Sequence, residues 1–281
     1  MAIDRPMKSD SKRIKRLASI EANIVEVAKV KRHLSMLVWG RQKSGKTALI
    51  ASGPNPIILA CEDGTETVKD FPNVQVFPVD GKTGIYITAR WKHAADFLYY
   101  LRYADHDRQT VGVDTTTSLL RMAVRYINKD EEIRDDFRAK GTTDQRTWGR
   151  VGSLLNEFME DLAAVCTERG MHLIWTAQER ALGEEQAEKA GSYFVPDLTP
   201  SVRSTILAQP SIIARTIIED DEEGDIGDTK LKYGMVFKHA EWPVGVRESI
   251  LKGSKPFPAQ AFKVTVPKLV QRLKATDQGG K

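Results

Sequence analysis

Apolar residues fall into short unbroken runs separated by longer stretches of helical spacing. Met36 to Trp39 is one such run; a Gly-rich segment and then Thr47 to Ala51 follow it, which reads as strand, loop, helix. Further runs at Pro56 to Cys61, Val74 to Phe77, Thr110 to Asp114 and Met171 to Thr176 predict four more buried strands. Between them, Trp91 to Tyr103 and Ser118 to Ile127 are amphipathic at a helical period. Val151, Leu154, Leu155, Phe158, Leu162 and Val165 lay one apolar stripe along a long helix. Strands that alternate with helices predict an α/β fold, a mostly parallel sheet with helices on both faces. After Pro200 the pattern changes. Ile212 to Ile218 and Leu231 to Phe237 predict a C-terminal antiparallel hairpin around the acidic turn Glu219 to Asp228.

Charge divides the chain differently. Of 42 Lys and Arg against 38 Asp and Glu, residues 1–33 hold nine and four (+5) and residues 247–281 hold eight and two (+6), leaving −7 in the middle. The predicted organisation is therefore a basic N-terminal arm (1–33), a core (34–246) and a basic C-terminal tail (247–281). Basic ends on an acidic core suggest a polyanionic partner, although solvated ends have the same composition. With two cysteines and no C-x-x-C, a disulfide framework, structural zinc and a redox motif are excluded. No apolar run reaches 18 residues and the N-terminus has no apolar signal core, so no membrane partner and a cytoplasmic location are expected.

The chemistry sits in one segment. Gly40, Arg41, Gln42, Lys43, Ser44, Gly45, Lys46 and Thr47 match G-x-x-x-x-G-K-[ST] directly after a predicted strand and at the start of a predicted helix. In such a loop, backbone N–H groups turn inward and the helix N-terminus adds its dipole, making a nest for the phosphates of ATP. Lys46 can reach the β and γ phosphates, and the Thr47 hydroxyl can ligate Mg2+. The four fixed positions occur by chance in roughly one chain in a hundred of this length. Gly81 to Thr83 repeats the Gly-Lys-Thr, but Val76 stands five before its glycine, so it reads as a surface turn.

Hydrolysis needs a carboxylate for the metal and a group that activates water. Asp114, at the end of its strand, is the candidate for the metal; with no phosphate loop present it would read as a helix cap. Thr115 stands where many P-loop ATPases place a catalytic Glu, so the base must come from elsewhere. Glu62, ending the second strand, is the candidate and Asp63 the alternative. Gln178, following the fifth strand, can sense the γ phosphate or be an ordinary polar residue.

This constellation resembles the RecA-like P-loop ATPase core, and more closely the phage-encoded AAA-domain proteins counted among recombinases and single-strand annealing proteins (the Sak group). The resemblance rests on Gly40 to Thr47, Leu59 to Gly64, Val113-Asp114, Gln145 to Gly149 and Trp175 to Gln178. It implies ATP-dependent binding of single-stranded DNA, self-assembly into rings or filaments, and strand annealing in an infected bacterial cytoplasm, with a single-strand-binding protein as a possible partner. It also implies Glu62 as base, Asp114 for the metal and Gln178 for coupling. Two loops, 128–144 and 179–197, would face DNA. The second holds five acids and two bases, which repel phosphate, so Arg134, Arg138, Lys140 and the terminal arms become the DNA candidates. Lys238 is the nearest match to a cation that bridges subunits, or is simply a solvated lysine. The leading alternative is a P-loop switch that acts on a protein partner, as a helicase loader or packaging accessory does. A small-molecule kinase, which would need an arginine-rich lid, stands third.

Overall fold

A computed structural model describes residues 8–24, 33–130, 145–190, 194–221, 230–237 and 260–277. The chain divides into two units, Met1–Arg32 and His33–Lys281. The first contains α1 (Lys8–Ala22), so part of the basic N-terminal arm is helical. Its Ile14, Leu17 and Ile20 are exposed on one side, with Lys12, Lys15 and Arg16 on another.

The second unit carries the sheet. Its strands are β1 (Ser35–Gly40), β2 (Pro56–Ala60), β3 (Gln75–Phe77), β4 (Thr110–Asp114), β5 (His172–Ala181), β6 (Phe194–Pro196), β7 (Ile212–Asp221), β8 (Lys230–Val236) and β9 (Gln260–Phe262). Its helices are α2 (Lys46–Ala51), α3 (Trp91–Tyr103), α4 (Thr116–Asp130), α5 (Gln145–Glu168), α6 (Glu184–Ala190), α7 (Pro200–Ala208) and α8 (Val266–Asp277). The order across the sheet is β3-β2-β4-β5-β1-β7-β8-β9, and β6 pairs with the far end of β5. From β3 to β7 every pairing is parallel; β8 and β9 continue antiparallel. The α/β sheet and its C-terminal antiparallel extension are those expected from the strand pattern.

Alternation within the buried strands builds two cores. Leu37, Trp39, Leu59, Val111, Val113, Leu173 and Trp175 face one side, where α3, α4, α5 and α7 cover them. Met36, Val38, Ile58, Ile174, Ala214, Met235 and Phe237 face the other, beneath α2 and α8. Each large side chain so buried contributes about 1.5–3 kcal/mol. Helix α2 has six residues, too few to persist alone. Leu49 and Ile50, buried in the second core, hold it in place. Gly112 lets it come close: a Cβ there would run into the Ile50 side chain.

Several boundaries differ from those the sequence predicts; β2 ends at Ala60, so Glu62 lies beyond the strand rather than ending it, and two further differences are larger. Residues 260–277, which fall in the predicted basic tail, form β9 and α8, whose Val266 and Leu269 enter the second core. Gln178 does not follow β5 but lies inside it, because β6 pairs with Glu179, Arg180 and Ala181 and prolongs the strand. The segment 179–197 is thus the end of β5, α6 and β6, apart from residues 191–193, which are not described. The acidic turn at 222–229 also lies outside the described residues, while its flanking strands pair as far as Asp221 and Lys230.

Candidate active site

Strand ends set the geometry. β1, β2, β4 and β5 run parallel, so the segments after or near their carboxyl ends share one edge of the sheet. That edge collects the loop 40–47, Glu62, Asp114 and Gln178. Gly45, the residue before α2, has a left-handed φ of 84° that side-chain-bearing residues rarely adopt. Within the loop, Arg41, Gln42 and Lys43 are exposed while Ser44 is buried, its hydroxyl 2.6 Å from the Thr216 hydroxyl of β7.

Lys46 is buried, and among the described residues its Nζ donates to neutral groups: the Gly40 carbonyl at 3.0 Å, the Arg41 carbonyl, Gln178 Oε1 at 3.4 Å and Ser44 Oγ at 3.5 Å. Burial pushes its pKa down, against the pull of Asp114, Glu62 and Glu179. A buried ammonium held by carbonyls fits a place where anionic phosphate would displace them.

The metal candidates are in contact. Thr47 Oγ1 donates to Asp114 Oδ2 at 2.6 Å, and Thr176 Oγ1 donates to Oδ1 at 2.6 Å. Burial raises the Asp114 pKa, and these two hydroxyls partly oppose it. Among the described residues no group of three or more His, Cys, Asp or Glu could hold a metal by itself. The Thr47 and Asp114 pair fits Mg2+, which takes few protein ligands and completes its shell with water and phosphate oxygens.

Glu62 is gripped at both oxygens. Ser118 Oγ donates to Oε2 at 2.8 Å and Gln178 Nε2 donates to Oε1 at 3.2 Å. A chain of hydrogen bonds therefore runs from Lys46 through Gln178 and Glu62 to Ser118. Asp63 is exposed and has no place in it.

Ser118 and Thr176 join the site without having been among the sequence candidates, although a signal for them exists. Asp114 is followed by four hydroxyl residues, and all four are buried. Each hydroxyl is engaged. Thr115 accepts the Ser118 N–H, Thr116 donates to the Thr176 carbonyl, Thr117 accepts the Gln178 N–H, and Ser118 holds Glu62. A polar run of that kind at the end of an apolar strand marks a built site. Glu179 is a further member that sequence reasoning missed. Its carboxylate, 8% exposed, pairs at 3.0 Å with Arg215 of β7 and at 3.0 Å with Arg41 of the loop. Arg134, Arg138, Lys140 and Lys238 lie outside the described residues.

A parallel sheet with this loop, carboxylate and amide at one edge defines a P-loop nucleotide-binding domain of the ATPase type. The family model described as an AAA domain matches residues 32–245, and the chain belongs to that family. No curated protein matches the chain. No helix among the described residues is long and apolar enough to cross a membrane.

Proposed function

We propose that the protein is a Mg2+-dependent ATPase whose cycle is coupled to single-stranded DNA binding and to assembly of its own copies, as in phage recombination or annealing proteins. The observation that carries the ATPase reading is the hydrogen-bonded chain from Lys46 to Glu62 beside the Thr47 and Asp114 pair. In this reading Lys46 exchanges its carbonyl partners for the β and γ phosphates. Thr47 and Asp114 hold Mg2+, which supplies charge neutralisation at the phosphates. Glu62 accepts the proton of the attacking water. Gln178 shares its side chain between Lys46 and Glu62, and its backbone carbonyl accepts the Asp197 N–H at 2.8 Å, so a change at the phosphates reaches the segment after β6.

Two features support a polyanionic partner. The termini carry +5 and +6. Beyond Gln178, Arg121 and Arg180 approach Asp197 at 3.9 and 4.0 Å, and Arg203 lies close enough to Arg180 for its pKa to be lowered, chiefly by burial and then by that like charge. These cations come from α4, β5 and α7, so a count confined to residues 179–197 misses the gathering. The setting would be the cytoplasm of an infected bacterium, with a single-strand-binding protein as a further partner.

The test is phosphate release by the full-length protein with Mg2+, with and without poly-thymidine. Turnover should rise with DNA, and Lys46→Ala should abolish it. Turnover indifferent to DNA would replace this reading with a switch that acts on a protein. Deleting residues 1–16 removes six bases and two acids. DNA affinity should then fall and the dependence of log K on log salt become shallower, by nearly one unit per lost phosphate contact.

A further inference from the structure

The site has a direction. From β1, the sheet runs through β5, β4 and β2 on one side, carrying Gln178, Asp114 and Glu62; on the other side it runs through β7 and β8. A nucleoside triphosphate whose terminal phosphate meets Glu62 and Gln178 has its α phosphate toward β7. Its ribose and base must then leave the loop over β7 and β8.

Tyr233 stands at that exit. It lies on β8 opposite Ile218 of β7. Two positions along the same strand, Met235 points into the core beneath α2, so Tyr233 shares the sheet face on which α2 and the phosphate loop sit. The residue is 46% exposed. A Cβ placed on Gly45 would lie 3.6 Å from ring atom Cδ1, so the aromatic side chain borders the glycine from which α2 starts. A single exposed tyrosine is ordinary. One set against the phosphate loop, on the side away from the catalytic groups, is placed for a ligand.

We infer that Tyr233 is the platform on which the nucleotide base stacks, making β8 the base-recognition side of the site. The inference rests on the nucleotide-binding role of the loop proposed above. Every base has a π-face, and the tyrosine ring supplies a rigid partner with few rotamers to lose on binding. Lys46 and the metal that Thr47 and Asp114 would hold then fix the phosphates while the ring fixes the opposite end.

Calorimetric titration of the full-length protein in Mg2+ tests this with two probes, a non-hydrolysable adenosine triphosphate analogue and inorganic tripolyphosphate. Tyr233→Ala should weaken the analogue about tenfold, equivalent to ~1.4 kcal/mol, and leave tripolyphosphate affinity within twofold of the parent. Tyr233→Trp should retain analogue affinity. Equal analogue affinity in Tyr233→Ala and the parent would overturn the inference. So would equal losses for both probes, because the ring would then be shaping the loop rather than holding a base. Failure of the folded parent protein to bind either probe would remove the nucleotide-binding reading itself, a result distinct from both.

Discussion

Replacing Ser118 by Ala asks whether Glu62 needs its second donor. Ser118 Oγ holds Glu62 Oε2 at 2.8 Å, and the other oxygen depends on Gln178, whose side chain is shared with Lys46. Without Ser118 the carboxylate keeps one donor, and that one is pulled toward the phosphates. A hydrogen bond to a charged group is worth roughly 1.5–3 kcal/mol net. About half of that should appear as lost alignment in the transition state, roughly 0.8–1.5 kcal/mol or about four- to twelvefold in kcat. KM should stay within twofold, since the side chain of Ser118 bonds to Glu62 and not to the loop residues 40–47. Ser118→Thr, which keeps the hydroxyl, should recover most of the rate. The fold should not suffer: Ser118 lies in α4, where Ala is the better helix former by about 0.5 kcal/mol. Steady-state phosphate release, with affinity for a non-hydrolysable analogue measured in parallel, gives the split. A wild-type kcat, or a raised KM with kcat unchanged, would refute the positioning role.

Glu62→Gln should keep nucleotide affinity and lose at least about a hundredfold in turnover; normal turnover there, with loss in Asp63→Asn, would move the base to Asp63. Asp114→Asn should abolish Mg2+-dependent turnover yet raise the melting temperature of the nucleotide-free protein near neutral pH. Burial lifts the folded Asp114 pKa above its unfolded value, so the buried carboxylate lowers stability above that raised value, and the loss is relieved as pH falls toward the ordinary carboxylate range. Thermal scans from about neutral pH down into the ordinary carboxylate range should show that relief in the parent and not in the variant. The thiols should be silent in the native state, because burial pushes Cys166 up to about 12 and raises Cys61 well above its ordinary value, with Asp114 and Glu62 adding to the latter. Titration with an aromatic disulfide at about pH 8, near the ordinary thiol pKa, should find both thiols only after denaturant is added; fast reaction of either in buffer would contradict the burial.

The sheet was legible because parallel strands buried on both faces read as unbroken apolar runs, and Met36 to Trp39, Pro56 to Cys61 and Val111 to Val113 are such runs. Strand ends then located Glu62 and Asp114 at one edge without any knowledge of side-chain contacts. What escaped was specified by register between distant strands. Thr176 meets Asp114 because β4 and β5 align Val113 with Trp175, and nothing local in either segment states that pairing. Strand β9 has three residues, and α8 sends only Val266 and Leu269 fully into the core from a segment whose net charge of +6 read as a solvated tail, so charge masked its fold. Glu179 and Arg215 left a fainter trace, opposite charges on two strands not adjacent in the sheet, which pair at 3.0 Å across the intervening β1.

The central place of β1 governs when this protein can become active during its synthesis. Both neighbours of β1 come late: Met36 aligns with Ile174 on one side and with Ile212 on the other, the latter about 175 residues further along the chain. At ribosomal speeds of roughly 5–20 residues per second, the strand that presents the phosphate loop waits about 10–35 seconds for its second partner. Until β5 is made β1 has no strand to pair with, and from then until β7 follows one of its edges stays open. A fragment that ends before residue 212 would carry every residue of the phosphate loop and still lack the scaffold that shapes it. Nucleotide capture is therefore deferred until most of the domain has emerged, so the chain cannot commit to ATP before it can commit to its fold.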